Sequence, residues 1–203
     1  TTWWRAAGDV YFITKGKIKY FVTPGSQGYV SAMRKEKDGL WIAKEKVIYH
    51  IVGSRTDSFS CGTEADNETF KVYNLFRSDD RVLWVGTSSG LFRISDGKTI
   101  AKIPVGDSVT VQPAISCIDQ DRTGALWLGT NKGAIKMSGN TFQRYNKRNG
   151  LTDNNIFQLF TDVEGNVWMA TDGQGLFRYS GTHFTSLDET MGLPSAQIMG
   201  IAS

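Results

Sequence analysis

The side chains best suited to chemistry lie in short polar turns that follow three tryptophan-containing segments of the chain. They carry hydroxyl, amide, ammonium and carboxylate groups, which suit the binding of a hydroxyl-rich or acidic ligand. We predict that the ligand-binding residues are Ser88, Ser89, Asn131, Lys132, Asp172 and Gln174, together with Asn154 and Asn155 in a linker between two of these segments. The expected partner is a small polar ligand.

Catalytic and metal chemistry find little support in the residue inventory. The two histidines, His50 and His183, are 133 residues apart and fit no metal-binding motif. Carboxylates are abundant in the turns, but the sequence places no pair of them across a scissile bond. We therefore expect no catalytic residue, no metal and no cofactor.

Two shorter motifs have structural interpretations. Segment 119–124 (DQDRTG) resembles the start of a calcium loop. Such a loop needs an acidic or amide ligand at its fifth position and a Glu at its twelfth, where this chain has Thr123 and Thr130. We interpret it as a turn. Cys61 and Cys117 are too few for a disulfide-rich scaffold or a four-cysteine zinc site, and the sequence leaves open whether they pair.

Composition and charge exclude several classes of partner. A net charge of +3 gives no sign of a nucleic-acid-binding surface, and no apolar run approaches the ~20 residues of a membrane helix. We expect neither nucleic-acid binding nor membrane contact. A hydrophobic content of 40% supports a folded core, and the 22 glycines indicate short strands joined by many turns.

The candidate residues lie in a repeated segment, and each copy of it contains one of four of the six tryptophans. Trp41, Trp84, Trp127 and Trp168 are separated by 43, 43 and 41 residues. Similar segments contain them, including VLWVGTSSGLFRIS (82–95), ALWLGTNKGAIKMS (125–138) and NVWMATDGQGLFRYS (166–180). A ligand would need one or two of these rings, so the periodicity favours packing between repeats over stacking on a sugar.

Each repeat has the pattern of four short strands. An apolar strand precedes each tryptophan strand, and polar turns separate the two: KEKDG (35–39), SDDR (78–81), DRTG (121–124) and DVEG (162–165). Third and fourth strands follow, as in LFRY (176–179) and TFQRY (141–145). Four antiparallel strands in roughly 40–45 residues are typical of a β-propeller blade. A β-sandwich would not explain the regular tryptophan spacing.

We therefore predict an all-β fold, a β-propeller of four-stranded antiparallel blades. The blades are assigned to 1–29, 30–71, 72–114, 115–155 and 156–197, with the start of a further blade at 198–203. Segment 53–70 is polar, and we expect a long connecting loop there. A chain that stops inside a strand leaves an open sheet edge, which proteins usually avoid. We expect these five blades to be a fragment of a larger propeller.

The motif I-x-x-I-x-x-D-x-x-G-x-LW-x-GT-x-x-G-L-x-R resembles the two-component regulator propeller repeat. It is clearest at 115–156 and 156–198, where the linkers also contain Gly-Leu pairs at 150–151 and 192–193. The resemblance covers roughly residues 72–198.

The resemblance implies the periplasmic sensor region of a hybrid two-component histidine kinase of the Bacteroidetes type. Such regions respond to glycan breakdown products, which implies an oligosaccharide ligand and is compatible with a homodimer formed through the parent ectodomain. Kinase activity would lie elsewhere in the parent protein, so this fragment is not expected to be an enzyme. Two alternatives remain: a propeller lyase of the virginiamycin B type, and a protein-interaction propeller.

The blade pattern also predicts where a ligand binds. The turn after the tryptophan strand and the linker between blades share one end of the blade, and the D-x-x-G turns occupy the other. The first set varies between blades (SSG, NKG, DGQG), whereas the D-x-x-G turns are nearly uniform. Variation over a constant scaffold is where specificity can be built. We therefore expect the ligand at the end that carries Lys132 and Asp172.

Overall fold

The computed structural model describes residues 2–6, 9–15, 17–21, 28–37, 39–61, 70–95, 99–105, 112–152, 155–195 and 197–198. Within these ranges, 19 strands form five antiparallel sheets, and neighbouring strands in every sheet are consecutive in the chain. This all-β arrangement of successive blades confirms the predicted propeller. The described residues contain no helix of the length and hydrophobicity that crossing a membrane requires.

The sheets follow one another along the chain. The first contains β1 (Thr2–Ala6), β2 (Asp9–Thr14) and β3 (Lys17–Phe21). The second contains β4 (Val30–Lys35), β5 (Leu40–Lys44), β6 (Val47–Val52) and β7 (Arg55–Ser60). The third contains β8 (Val72–Arg77), β9 (Leu83–Thr87), β10 (Gly90–Ser95) and β11 (Thr99–Ile103). The fourth contains β12 (Ile115–Gln120), β13 (Leu126–Thr130), β14 (Gly133–Ser138) and β15 (Thr141–Tyr145). The fifth contains β16 (Ile156–Thr161), β17 (Val167–Thr171), β18 (Leu176–Tyr179) and β19 (Phe184–Leu187).

Strand β7 shows that the prediction of a connecting loop over 53–70 was wrong for its first part. Arg55–Ser60 pairs with β6 through a tight turn in which Gly53 has a φ of 59°. Phe59 is the one buried residue of the strand, and its ring lies 5.9 Å from that of Trp41. A single buried side chain in six residues produces no apolar pattern. Residues 62–69 of the expected loop lie outside the described residues.

The tryptophans occupy equivalent places on the second strands, and three of the four pack against the following sheet. They are Trp41 on β5, Trp84 on β9, Trp127 on β13 and Trp168 on β17. The first three are buried and Trp168 is half-buried. The packing crosses from one sheet to the next, since Trp127 shares a core cluster with Ile156 and Leu159 of the fifth sheet. The rings of Trp41, Trp84 and Trp127 therefore fill the gaps between successive blades.

The innermost strands of sheets two to five lie side by side, in chain order. Each begins with a buried β-branched residue: Val30, Val72, Ile115 and Ile156. A β-bulge follows this residue in all four strands. Such bulges bend a strand and increase its twist.

Small residues on the second strands allow this close approach. Gly86 and Gly129 hold the equivalent place in sheets three and four, and Ala43 and Ala170 hold it in sheets two and five. A Cβ atom added at Gly86 would lie 2.6 Å from the carbonyl oxygen of Ile115, a backbone atom of the next sheet. The blades can therefore accommodate little additional volume at this contact.

Replacing Gly86 with Ala should lower the free energy of unfolding by roughly 1–3 kcal/mol, because the new methyl group forces sheets three and four apart. Urea denaturation followed by tryptophan fluorescence measures the change. Ala170→Gly is the matched control in the fifth sheet, and we expect it to cost about 1 kcal/mol. A Gly86→Ala variant as stable as the parent protein would contradict the tight contact.

Candidate functional site

A side-chain hydrogen bond joins the repeated turn to the repeated tryptophan. The indole Nε1 of Trp127 donates to Asp121 Oδ2 at 2.9 Å, and that of Trp168 donates to Asp162 Oδ2 at 2.8 Å. In both blades the acceptor lies six residues before the tryptophan. A buried indole N–H needs an acceptor, so this bond couples the turn to the packing between blades.

The same carboxylate also closes the turn. Asp121 Oδ1 accepts hydrogen bonds from the backbone N–H groups of Thr123 at 2.9 Å and Ala125 at 3.1 Å. Asp162 makes the equivalent bonds to backbone N–H groups in the fifth blade. The oxygens of these aspartates are thus engaged within the protein, in agreement with the interpretation of 119–124 as a turn.

The third blade keeps the bond with different residues. Trp84 donates to the hydroxyl of Ser78 at 3.0 Å, and Ser78 in turn donates to Asp80 at 2.5 Å. Arg81 adopts the left-handed conformation, with a φ of 65°, at the position held by Gly124 in the fourth blade. The acceptor for the indole is therefore retained although the turn residues differ.

A basic residue on the third strand pairs with the tryptophan in blades three to five: Arg93, Lys136 and Arg178. In the fourth and fifth blades it also lies near the ring. Lys136 Nζ lies 2.8 Å from Asp121 Oδ2 and 5.3 Å from the centre of the Trp127 ring. Arg178 lies 5.7 Å from the ring of Trp168. Both are cation–π contacts, which add to the stability of the packed ring.

The groups around Asp121 favour the ionised form of its carboxyl group. Burial opposes the charge, but hydrogen bonds from Lys136, Thr123 and Trp127 and the charge of Lys136 outweigh burial. Together they lower the pKa of Asp121 from 3.8 to about 2. Asp121 is consequently a charged structural anchor rather than an acid or base with a pKa near neutrality.

At the other end of the blades, buried threonines close the turns that follow the tryptophan strands. The threonine hydroxyls donate to glycine carbonyl oxygens at 2.7–2.8 Å, in the pairs Thr87–Gly90, Thr130–Gly133 and Thr171–Gly175. The backbone of each turn is thereby held from inside the blade. The side chains at the turn tips are then not needed to maintain the turn.

Four of the predicted ligand-binding residues lie on the turns of the third and fourth blades. Asn131 and Lys132 are exposed, whereas Ser88 and Ser89 are half-buried. The Ser88 hydroxyl accepts a hydrogen bond from the backbone N–H of Lys71 at 3.0 Å, and so ties its turn to the preceding linker. Lys132 and Asn131 are therefore better placed for a ligand than the two serines.

In the fifth blade the structure brings two predicted residues together. The backbone N–H of Asp172 donates to the carbonyl oxygen of Asn155 at 3.0 Å, so the turn and the linker lie side by side. Gln197 Nε2 lies 3.4 Å from Asp172 Oδ1. Asn154 lies outside the described residues.

Gln174, the remaining predicted residue, lines a cleft of about 420 Å³. The other walls are formed by Gly173, Phe177, Ser186 and the segment 188–190. Asp188 caps the 3₁₀ helix Glu189–Met191, and hydrogen bonds from Thr190 lower the pKa of its carboxyl group. Amide, hydroxyl and carboxylate groups around an aromatic ring suit a hydroxyl-rich ligand.

The acidic residues of this cleft, Asp188 and Glu189, are not among those predicted from the sequence. A usable signal exists, because an Asp followed two residues later by Thr and then by the Gly-Leu linker is typical of a capped turn. Placing that turn beside Gln174 requires the pairing of β18 with β19.

The cysteines and histidines are placed away from these turns. Cys61 and Cys117 are buried in different core clusters and form no disulfide with each other, and burial raises the pKa of Cys117 to about 12. His50 stacks on Trp41 with ring centres 3.9 Å apart, and His183 is exposed just before β19. Among the described residues, no group of His, Cys, Asp and Glu side chains is arranged to hold a metal ion.

Four-stranded blades packed through buried tryptophans define a β-propeller. Residues 150–173, from the Gly-Leu linker to the turn after Trp168, match the two-component regulator propeller family. The resemblance seen in the sequence is thus confirmed for this repeat. Comparison with curated proteins gives no match.

Solved structures share the fold. The extracellular domain assigned to a hybrid two-component system of B. thetaiotaomicron has a TM-score of 0.73 at 22% identity, covering 92% of this chain and 26% of that one. An extracellular domain assigned to a one-component system of the same organism has a TM-score of 0.70 at 19% identity, covering 97% and 29%. An inactive variant of virginiamycin B lyase from Staphylococcus aureus, solved with quinupristin, has a TM-score of 0.67 at 15% identity, covering 88% and 62%.

These likenesses establish the fold. The chain spans less than a third of the length of the two extracellular domains.

Replacing Asp121 with Ala should lower the free energy of unfolding by about 2–4 kcal/mol, since the buried Trp127 indole and the Lys136 ammonium lose their acceptor. Urea denaturation measures the loss. Glu164→Ala is the control, because it removes an exposed carboxylate from the equivalent turn of the fifth blade and should change stability by less than about 0.5 kcal/mol. Equal effects of the two substitutions would contradict the role assigned to Asp121.

The pH dependence of stability should reveal the same carboxylate. Since the pKa of Asp121 is lower in the folded protein than its ordinary value of 3.8, the stabilisation is present above that value and is lost as the pH falls toward about 2. Denaturation midpoints measured across this interval should fall less steeply for Asp121→Ala than for the parent protein. Parallel curves would show that Asp121 does not contribute.

Proposed function

We propose that this chain is part of the extracytoplasmic sensor domain of a two-component system, and that it binds products of glycan breakdown. The match of residues 150–173 to the two-component regulator propeller family carries this proposal. Two solved structures with the same fold are extracellular domains assigned to one- and two-component systems, which supports a periplasmic location. The histidine kinase would then reside in another part of the parent protein.

The proposed contact surface is the end of the blades that carries the turns after the tryptophan strands. Asn131 and Lys132 are exposed there, and Gln174 lines a cleft with Asp188 and Glu189. At the opposite end of the fourth and fifth blades, the oxygens of Asp121 and Asp162 are engaged in internal hydrogen bonds. In these two blades, polar groups for an oligosaccharide are thus more available at the end that carries the turns after the tryptophan strands.

The test is a calorimetric titration of the protein with a panel of neutral and acidic oligosaccharides, first ranked by their effect on the melting temperature. Lys132→Ala and Asp172→Ala should each weaken binding by roughly 1–3 kcal/mol, because each removes a charged hydrogen-bonding group. Neither change should shift the melting temperature appreciably, since both residues lie in turns held by buried threonines.

Lys19→Ala and Asp79→Ala are the matched controls, because both residues are exposed and lie on other parts of the blades. Their affinities should equal that of the parent protein. If Lys132→Ala and Asp172→Ala also bind as the parent does, the proposed surface is wrong.

A further inference from the structure

A cationic cleft lies between the second and third sheets, at the end of the blades opposite to the turns proposed above. The last residues of β4 and β8 and the turns that follow them form its walls. The lining residues are Arg34, Lys35, Glu36, Lys37, Arg77 and Arg81. Its volume is about 430 Å³, which is within the range of small-ligand sites.

Positive charge predominates in the cleft, because Glu36 is the one carboxylate among the lining residues. Arg34 Nε donates to Glu36 Oε1 at 3.2 Å, and Arg77 Nε lies 3.6 Å from Glu36 Oε2. Lys37 and Arg81 form no ion pair with the described part of the chain. One carboxylate thus faces several cations contributed by two sheets.

The two central guanidinium groups are held in place. Arg34 lies 5.4 Å from the centre of the Phe76 ring and shares Glu36 with Arg77. The side chains of Arg34 and Arg77 are 35% and 24% exposed, so both are partly desolvated and still reachable. Charge-assisted hydrogen bonds from arginine to an oxyanion are strong and directional under these conditions.

The second blade departs from the other blades at this cleft. Six residues before the tryptophan, where blades three to five carry an acceptor, the second blade has Lys35. Its ammonium donates to the carbonyl oxygens of Glu36 and Gly39, the latter at 3.1 Å. The charge of this turn is therefore inverted. Holding the turn accounts for Lys35, but not for the other four cations.

We propose that this cleft binds a small ligand that carries at least two carboxylate or sulfate groups. Arg34 and Lys37 of the second sheet face one part of the ligand, and Arg77 and Arg81 of the third sheet face another. The site is separate from the turns that carry Lys132 and Asp172. If the cleft proves not to bind such a ligand, the proposed function is unaffected. If the proposed function proves wrong, the proposal for the cleft is likewise unaffected.

The experiment is calorimetric titration of the protein with digalacturonate, with a disulfated disaccharide and with neutral galactobiose. We expect at least one of the two charged probes to bind, with affinity that falls as salt is raised, and galactobiose not to bind. The two charged probes distinguish carboxylate from sulfate as the preferred group. Absence of binding by both would overturn the proposal.

Three variants test the site itself. Arg77→Gln should weaken binding of the charged probe by roughly tenfold or more. Glu36→Gln should strengthen it about two- to fivefold, because the carboxylate no longer competes for the arginines. Arg122→Gln, a change of the same kind on the turn of the fourth blade, should have no effect.

The gain expected for Glu36→Gln separates binding from folding, since a damaged protein would not bind more tightly. Circular dichroism of each variant verifies its secondary structure. Unchanged affinity in Arg77→Gln, or an equal loss in Arg77→Gln and Arg122→Gln, would refute the cleft as the site.

Discussion

The hydrogen bond that a tryptophan indole donates to the turn side chain six residues earlier is the interaction on which the other features of blades three to five depend. It fixes the first hairpin of the blade, and it satisfies the indole N–H of the ring that fills the gap to the next blade. Asp121 combines both tasks, accepting from two backbone N–H groups and from Trp127. Without such an acceptor, the ring would be buried at the cost of an unsatisfied donor. The bond thus couples local turn formation to the stacking of sheets.

This coupling gives the two ends of the fourth and fifth blades different chemistry. At the end of the D-x-x-G turns, the carboxylates of Asp121 and Asp162 are engaged internally and have depressed pKa values. At the other end, buried threonines hold the turns, so the side chains of residues such as Asn131 and Lys132 are not needed to stabilise the turn. A scaffold of this kind can exchange its exposed turn residues with little loss of stability.

The second and third blades show how far the scaffold tolerates change. Ser78 replaces the carboxylate in the third blade and keeps the bond to Trp84. Lys35 replaces it in the second blade and holds the turn through carbonyl oxygens instead, while His50 stacks on Trp41. These replacements preserve packing but change the charge of the surface. The position six residues before the tryptophan carries a structural aspartate in the fourth and fifth blades. In the second blade the same position carries Lys35, which lines the cationic cleft between the second and third blades.

The blade pattern, the place of the tryptophans and the resemblance to the regulator propeller repeat could all be predicted from the sequence. These features are local, because each blade is built from strands that are adjacent in the chain. The spacing between Trp84 and Trp127 therefore corresponds to the length of one blade. Three features could be seen only in the folded protein: Arg55–Ser60 forms an outer strand, Gln174 and Asp188 line one cleft, and Arg34 and Arg77 share Glu36. Those outcomes depend on how strands and sheets are placed beside one another. An exposed outer strand shows no periodic pattern of apolar residues. The sequence of one turn also does not reveal which charged residues of the neighbouring blade will lie next to it.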